Sequence, residues 1–404
     1  MIEKGYLMKT KLKMILSLIL STIIIFSSIA VSGIIVSAEK RTGDIAKDIS
    51  TYNVGDTFEF GSYPQSKVED TDLLSTLEKV SEKITWIDYN YYAGTGDMCD
   101  GKMAPVKNMM QYKDISYNSE KYRAVKLNQY RPSSTDYLSS VDNSNQDDNE
   151  YYIDNTYYFK FEPLLWRVLD PEEGYVMCNS IIDSQAFQNF IVSIEKDDEY
   201  TYYNNTSCTI YASDWATSSI RIWLNEDFYK TAFTDEEQAK IGVSYLENKS
   251  SKTNNYDSIN TSDKIFLISY YDAINSNYGF NSIAEENDTA RLLQGTDYAK
   301  SQGLYIFPYK KYGATNYVEN PTWWLRSPRI SYSSCNVCYT WANFHGSVNT
   351  TDNGIVPAFK FNPKNTIPDG SNNSSDNSSF TFFDRISSFF QKIIAFFKNL
   401  FSFK

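Results

Sequence analysis

A chain of 404 residues with 42% hydrophobic residues can fill one large or two modest folded domains, which excludes a disordered protein. Its formal charge of −12 argues against nucleic acid as a partner. An aromatic share of 16%, led by 33 Tyr, suits a sheet-rich protein with half-buried rings and equally a carbohydrate-binding surface.

Lys9, Lys11 and Lys13 precede an apolar run over 14–31, and Val36-Ser37-Ala38 supplies the small residues of a signal-peptidase site. Residues 1–38 are therefore expected to be a signal peptide, with an uncleaved anchor as the alternative because the run is long. Without them the charge is about −15. The remainder is expected outside the cytoplasm. Five cysteines, Cys99, Cys178, Cys208, Cys335 and Cys338, are then an odd number, so at least one stays free or pairs between chains. Cys335-x-x-Cys338 lies in a Ser/Tyr/Asn-rich connection and not at a helix N-terminus, which favours a disulfide or idle thiols over redox or zinc chemistry.

One folded domain is expected over 52–363. Val54-Gly55-Asp56-Thr57-Phe58-Glu59-Phe60-Gly61-Ser62-Tyr63-Pro64-Gln65 alternates and then turns, an opening strand. Leu73, Leu77, Val80 and Ile84 predict an amphipathic helix over 73–84. Strands follow at Trp86-Ile87-Asp88-Tyr89 and Lys121-Tyr122-Arg123-Ala124-Val125-Lys126. Residues 139–154, with Asp142, Asp147, Asp148, Glu150 and Asp154, read as a solvated acidic loop that lacks the spacing of a calcium loop. Residues 159–170 predict a strand in which Trp166 and Val168 alternate with Arg167, paired as a hairpin with Tyr175-Val176-Met177-Cys178. A serine-capped helix is expected over 218–225, with Ile220, Trp223 and Leu224 inward beside Arg221, and a second behind the capping box of Thr234 and Glu237. Lys264-Ile265-Phe266-Leu267-Ile268 reads as a buried strand. This mixed order predicts an α+β fold with a largely antiparallel sheet and a few packed helices.

Trp323-Trp324-Leu325-Arg326-Ser327-Pro328 is the strongest landmark. Its indoles are expected in the core, and Arg326 needs acceptors if it is drawn inside with them. Gly354-Ile355-Val356-Pro357-Ala358-Phe359 reads as a last strand returning to the sheet, which gives strand, long exposed connection, strand. In that connection Tyr332, Tyr339, Trp341 and Phe344 offer rigid aromatic area, and Asn343, Asn349 and Asp352 adaptable polar groups, the composition of a ligand-binding face. His345, the only histidine, sits beside Gly346 in a predicted turn. With no nucleophile elbow, metal-ligand cluster or phosphate loop nearby, it reads as a surface residue.

Six motifs in order, Glu59-Phe60-Gly61-Ser62-Tyr63-Pro64-Gln65, Tyr122-Arg123-Ala124-Val125-Lys126, Leu165-Trp166-Arg167-Val168-Leu169, Ser219-Ile220-Arg221-Ile222-Trp223-Leu224-Asn225, Asp263-Lys264-Ile265-Phe266-Leu267 and the Trp323-Trp324 run, give a pattern over 54–362 that resembles domain-of-unknown-function family 6273, a module of exported bacterial proteins. The motif order is similar, more loosely, to the C-type-lectin-like fold of formylglycine-generating enzymes and hypervariable receptors. That similarity implies a display scaffold: Trp323, Trp324, Arg326, Trp166, Arg167, Arg221 and Trp223 as structural motif, residues 327–352 as variable segment. Val356 stands where the pattern has an arginine. Trp341-Ala342-Asn343 and Glu319-Asn320-Pro321 are similar to lectin calcium tripeptides only with the order changed, so no cofactor is expected and calcium is the minor alternative.

Residues 364–379 form a polar Asn/Ser linker. Over 380–404, Phe389, Phe390, Ile393, Phe397 and Leu400 recur at helical spacing among basic residues, which predicts an amphipathic helix lying in a membrane interface. The expected function is an exported cell-surface module that binds a glycan or protein ligand, membrane-associated and without identifiable catalytic machinery. The alternative is a secreted hydrolase or a thiol-dependent enzyme of the formylglycine-generating type.

Overall fold

The long alternation over 156–170 dictates a strand that neighbours can flank on both edges, and the sheet is built on it. The computed structural model describes residues 49–91, 106–135, 145–189, 192–194, 200–202, 212–251, 258–306, 321–329, 334–338, 341–342 and 344–362. The signal segment, Cys99, Cys208, Tyr332, Tyr339, Asn343, the linker and the C-terminal helix with Phe389, Phe390, Ile393, Phe397 and Leu400 lie outside the described residues.

The fold is α+β, mostly antiparallel, with few helices. The larger sheet sets Phe266–Leu267, Pro357–Lys360, Tyr175–Cys178, Thr156–Asp170, Glu120–Leu127, Met110–Tyr117 and Ile87–Asp88 side by side, and Thr57–Lys67 also pairs with Thr156–Asp170. The smaller sheet orders Phe344–Ser347, Ser334–Cys338, Trp323–Pro328, Gly354–Ile355 and Asp183–Ser184. One core spans residues of both: Trp166 and Phe359 meet edge to face at 4.6 Å, while Trp323, Trp324, Val337 and Ile355 join the same cluster. A satellite core lies under the helix Thr71–Ser81, where Leu77 packs with Ile115, Tyr122 and Tyr158.

Several sequence expectations are corrected by this packing. The opening strand does not give way to a turn within 54–65. It continues to Lys67 through two register shifts, the first around Gly61, whose φ of +68° suits glycine. The first helix ends at Ser81, so Ile84 lies beyond it and Val80 is exposed. Leu73, Leu74 and Leu77 form the apolar stripe. The acidic segment is not simply solvated: Gln146 is fully buried, accepting from Arg131 N and donating to Ser301 O, because an amide can satisfy backbone groups that water cannot reach.

The described part of the connection after Pro328 is not simply an exposed loop. Its described strands, Ser334–Cys338 and Phe344–Ser347, form a meander on the Trp323–Pro328 strand, with Cys335, Val337 and Cys338 buried. His345 therefore stands in a strand, paired with Asn336. The closing segment is two strands. Gly354–Ile355 pairs in the smaller sheet and Pro357–Lys360 in the larger one, so this stretch ties the sheets together.

Candidate functional site

Arg326 is drawn inside with its two tryptophans, and its acceptors explain where a site can form. Its Nη1 donates to Leu267 O at 2.8 Å and to Asp272 Oδ2 at 3.1 Å, and Nε donates to Asn248 Oδ1 at 3.2 Å. Asp272 in turn is held by the turn after the Phe266–Leu267 strand. Its Oδ2 also accepts from Ser269 N and Ser269 Oγ, each at 2.7 Å, and from Tyr175 OH at 3.3 Å. The result is a charge pair fixed from several elements at once.

This pair forms the floor of a cleft of about 410 Å³. Tyr175, Tyr245, Phe266, Tyr271 and Tyr278 give it an aromatic wall. Tyr175 and Tyr278 meet edge to face at 5.4 Å. Tyr245 is 68% and Tyr271 40% exposed, so both present faces to solvent. Tyr245 sits on the two-stranded ribbon of Ser244–Leu246 with Thr261–Asp263, and its OH accepts from Asn260 Nδ2 at 3.0 Å. Burial raises the Tyr175 and Tyr278 hydroxyls above their ordinary range, with the Asp272 carboxylate adding to the effect, so both remain neutral. Lys249 pairs with Glu247 at 2.6 Å and Lys360 with Glu173 at 3.2 Å around the opening.

The residues anticipated after Pro328 are placed differently from one another. Trp341 and Phe344 stack at 5.7 Å and 25° with 38% and 40% exposure, and Trp341 Nε1 donates to Asn287 Oδ1 at 2.9 Å. Asn349 turns inward instead, donating to Ser134 Oγ at 2.8 Å. Asp352 is half-buried, and burial raises its carboxyl. The exposed His345 is held below its ordinary value by partial burial and the nearby Arg329 charge.

Of the motif residues, Trp166, Trp323, Trp324 and Arg326 are buried and Arg167, Arg221 and Trp223 partly so. Trp166 donates to Phe60 O at 2.7 Å, Trp323 to Arg291 O at 3.2 Å and Trp324 to Gln185 O at 2.9 Å. Arg221 grips the buried Asp263 at 2.6 Å, Arg167 donates to Ala290 O at 2.7 Å over the Phe280 ring, and Trp223 is half-buried against Phe228. Cys178, Cys335 and Cys338 are not in disulfides, and all three are buried. Burial pushes the Cys178 thiol up to about 12 and raises both others, so none is poised as a thiolate. Among the described residues no group of three or more His, Cys, Asp or Glu is placed to hold a metal ion.

Sequence reading missed the tyrosine wall. Tyr175, Tyr245, Tyr271 and Tyr278 come from four separate stretches, and in a chain with 33 Tyr no spacing singles them out. The available signal was Ser269-Tyr270-Tyr271-Asp272, a polar turn placed directly after a buried strand.

No curated protein and no solved structure matches this chain. A family model does match, over a shorter stretch than the motif pattern suggested: the motifs at 59–65, 122–126 and 165–169 fall outside it. Residues 188–363, which include Arg326, Asp272 and every cleft tyrosine except Tyr175, match the family Domain of unknown function (DUF6273).

Proposed function

We propose that the chain is an exported ligand-binding module that works at the cell surface, with the cleft beside Arg326 as its binding site. The observation that carries this reading is the cleft itself: exposed tyrosine faces over an Arg326–Asp272 pair that is already fixed before any ligand arrives. Rigid aromatic surface next to preset polar groups costs little ordering on binding, which is the economy of a recognition site. A thiol-dependent enzyme is disfavoured by the burial of Cys335 and Cys338. We further propose a C-type-lectin-like arrangement as the scaffold, and membrane-interface attachment through residues 380–404.

A second reading rests on the stacked, exposed Trp341 and Phe344, which would make the meander after Pro328 the contact surface. The test of binding as such is a glycan and peptide array probed with the purified chain. Reproducible binding to one ligand class is expected, and silence across both classes would contradict the proposal.

A further inference from the structure

The charges around the cleft cancel locally. Arg326 is matched by Asp272 at 3.1 Å, Lys360 by Glu173 at 3.2 Å and Lys249 by Glu247 at 2.6 Å. A ligand bearing a carboxylate, sulfate or ammonium would have to compete with a partner already in place, and the −12 charge of the chain further opposes anionic polymers. What the cleft offers uncommitted is of another kind. The donors to Asp272, from Arg326, Ser269 N, Ser269 Oγ and Tyr175, converge on Oδ2, and the side chain is 18% exposed in the cleft lining, which leaves the carboxylate capacity to accept from a ligand. The Tyr245 hydroxyl, which accepts from Asn260, retains its own proton to donate. Flat rings, one anchored acceptor and one hydroxyl donor suit an uncharged ring that carries hydroxyls on its edge and C–H groups on its face.

We infer that the cleft binds a neutral oligosaccharide, with Tyr245 and Tyr271 stacking on the sugar rings and Asp272 accepting from a sugar hydroxyl, without a bridging divalent cation. The cation is unnecessary because the carboxylates of Asp272 and Glu247 already carry guanidinium and ammonium partners. This inference rests on the cleft being the binding site.

The full chain is titrated calorimetrically with neutral cello- and chito-oligosaccharides and with oligogalacturonates of equal length, each with and without EDTA. The neutral series is expected to bind at least about tenfold more tightly, unchanged by EDTA. Tyr271→Ala and Tyr245→Ala are each expected to weaken it by about tenfold or more. Both positions are exposed, and an unchanged circular dichroism spectrum verifies folding. Preference for the acidic series, or loss of binding in EDTA, overturns the inference while the cleft stands, provided the tyrosine variants still weaken binding. Binding that neither variant affects removes the cleft itself, and with it the inference.

Discussion

At the scale of single residues, Arg326 is the link between core and cleft. It anchors Asn248, the Leu267 carbonyl and Asp272 with one planar group, geometry that a lysine cannot reproduce. Arg326→Lys should therefore cost on the order of 1–3 kcal/mol of stability, read as a lower urea midpoint with unchanged slope. Asp183 gives a pH signature. Its carboxyl is buried and accepts from Tyr63 OH and Ser184 N, yet burial pushes it up to about 6. The folded state thus binds this proton more tightly than the unfolded chain, whose value is about 3.9. Its contribution to stability is fully present below about pH 4 and is lost as pH rises through about 6, a change on the order of 3 kcal/mol. Asp183→Asn should remove that decline. Equal differences between wild type and variant at about pH 4 and about pH 7 would contradict the assignment.

At the scale of elements, local rules that the sequence states openly are obeyed. Thr234 and Glu237 form the reciprocal capping box, and Ser218 caps the helix Ser219–Trp223. Glu237 does more than cap, because its Oε1 accepts from Gly61 N at 3.1 Å and ties the helix to the irregularity in the opening strand. Thr234→Ala should cost about 1 kcal/mol, while Glu237→Ala should cost more than that, both read from urea midpoints. Gly61→Ala should also destabilise, since a Cβ there would lie 2.6 Å from the Phe233 ring at a φ of +68°. The meander after Pro328 was not legible in the same way. Ser, Tyr, Asn and Cys alternate there without a clear apolar face, and Cys335 and Val337 become buried only because the Trp323–Pro328 strand lies beside them.

At the scale of the whole molecule, the α+β class and the hairpin of 159–170 with 175–178 could be read from periodicity, because each is set by its own residues. The two-sheet division could not. It depends on residues 354–360 changing partners at Val356, which no local pattern encodes. The site was half legible for the same reason: Arg326 is marked by its motif, but the tyrosines that meet above it are assembled by long-range pairing. The proposed membrane attachment through residues 380–404 is tested separately from the cleft. Deleting residues 380–404 should move the protein from the membrane to the soluble fraction on cell fractionation, and unchanged partitioning would contradict that role.

Where a ligand makes contact decides between the cleft and the meander. The measurement is the dissociation constant of the best ligand for wild type, Tyr271→Ala and Trp341→Ala. Contact in the Arg326 cleft predicts a loss of about tenfold or more for Tyr271→Ala and less than about threefold for Trp341→Ala, whereas the reverse order would contradict it and transfer the site to the stacked pair on the meander.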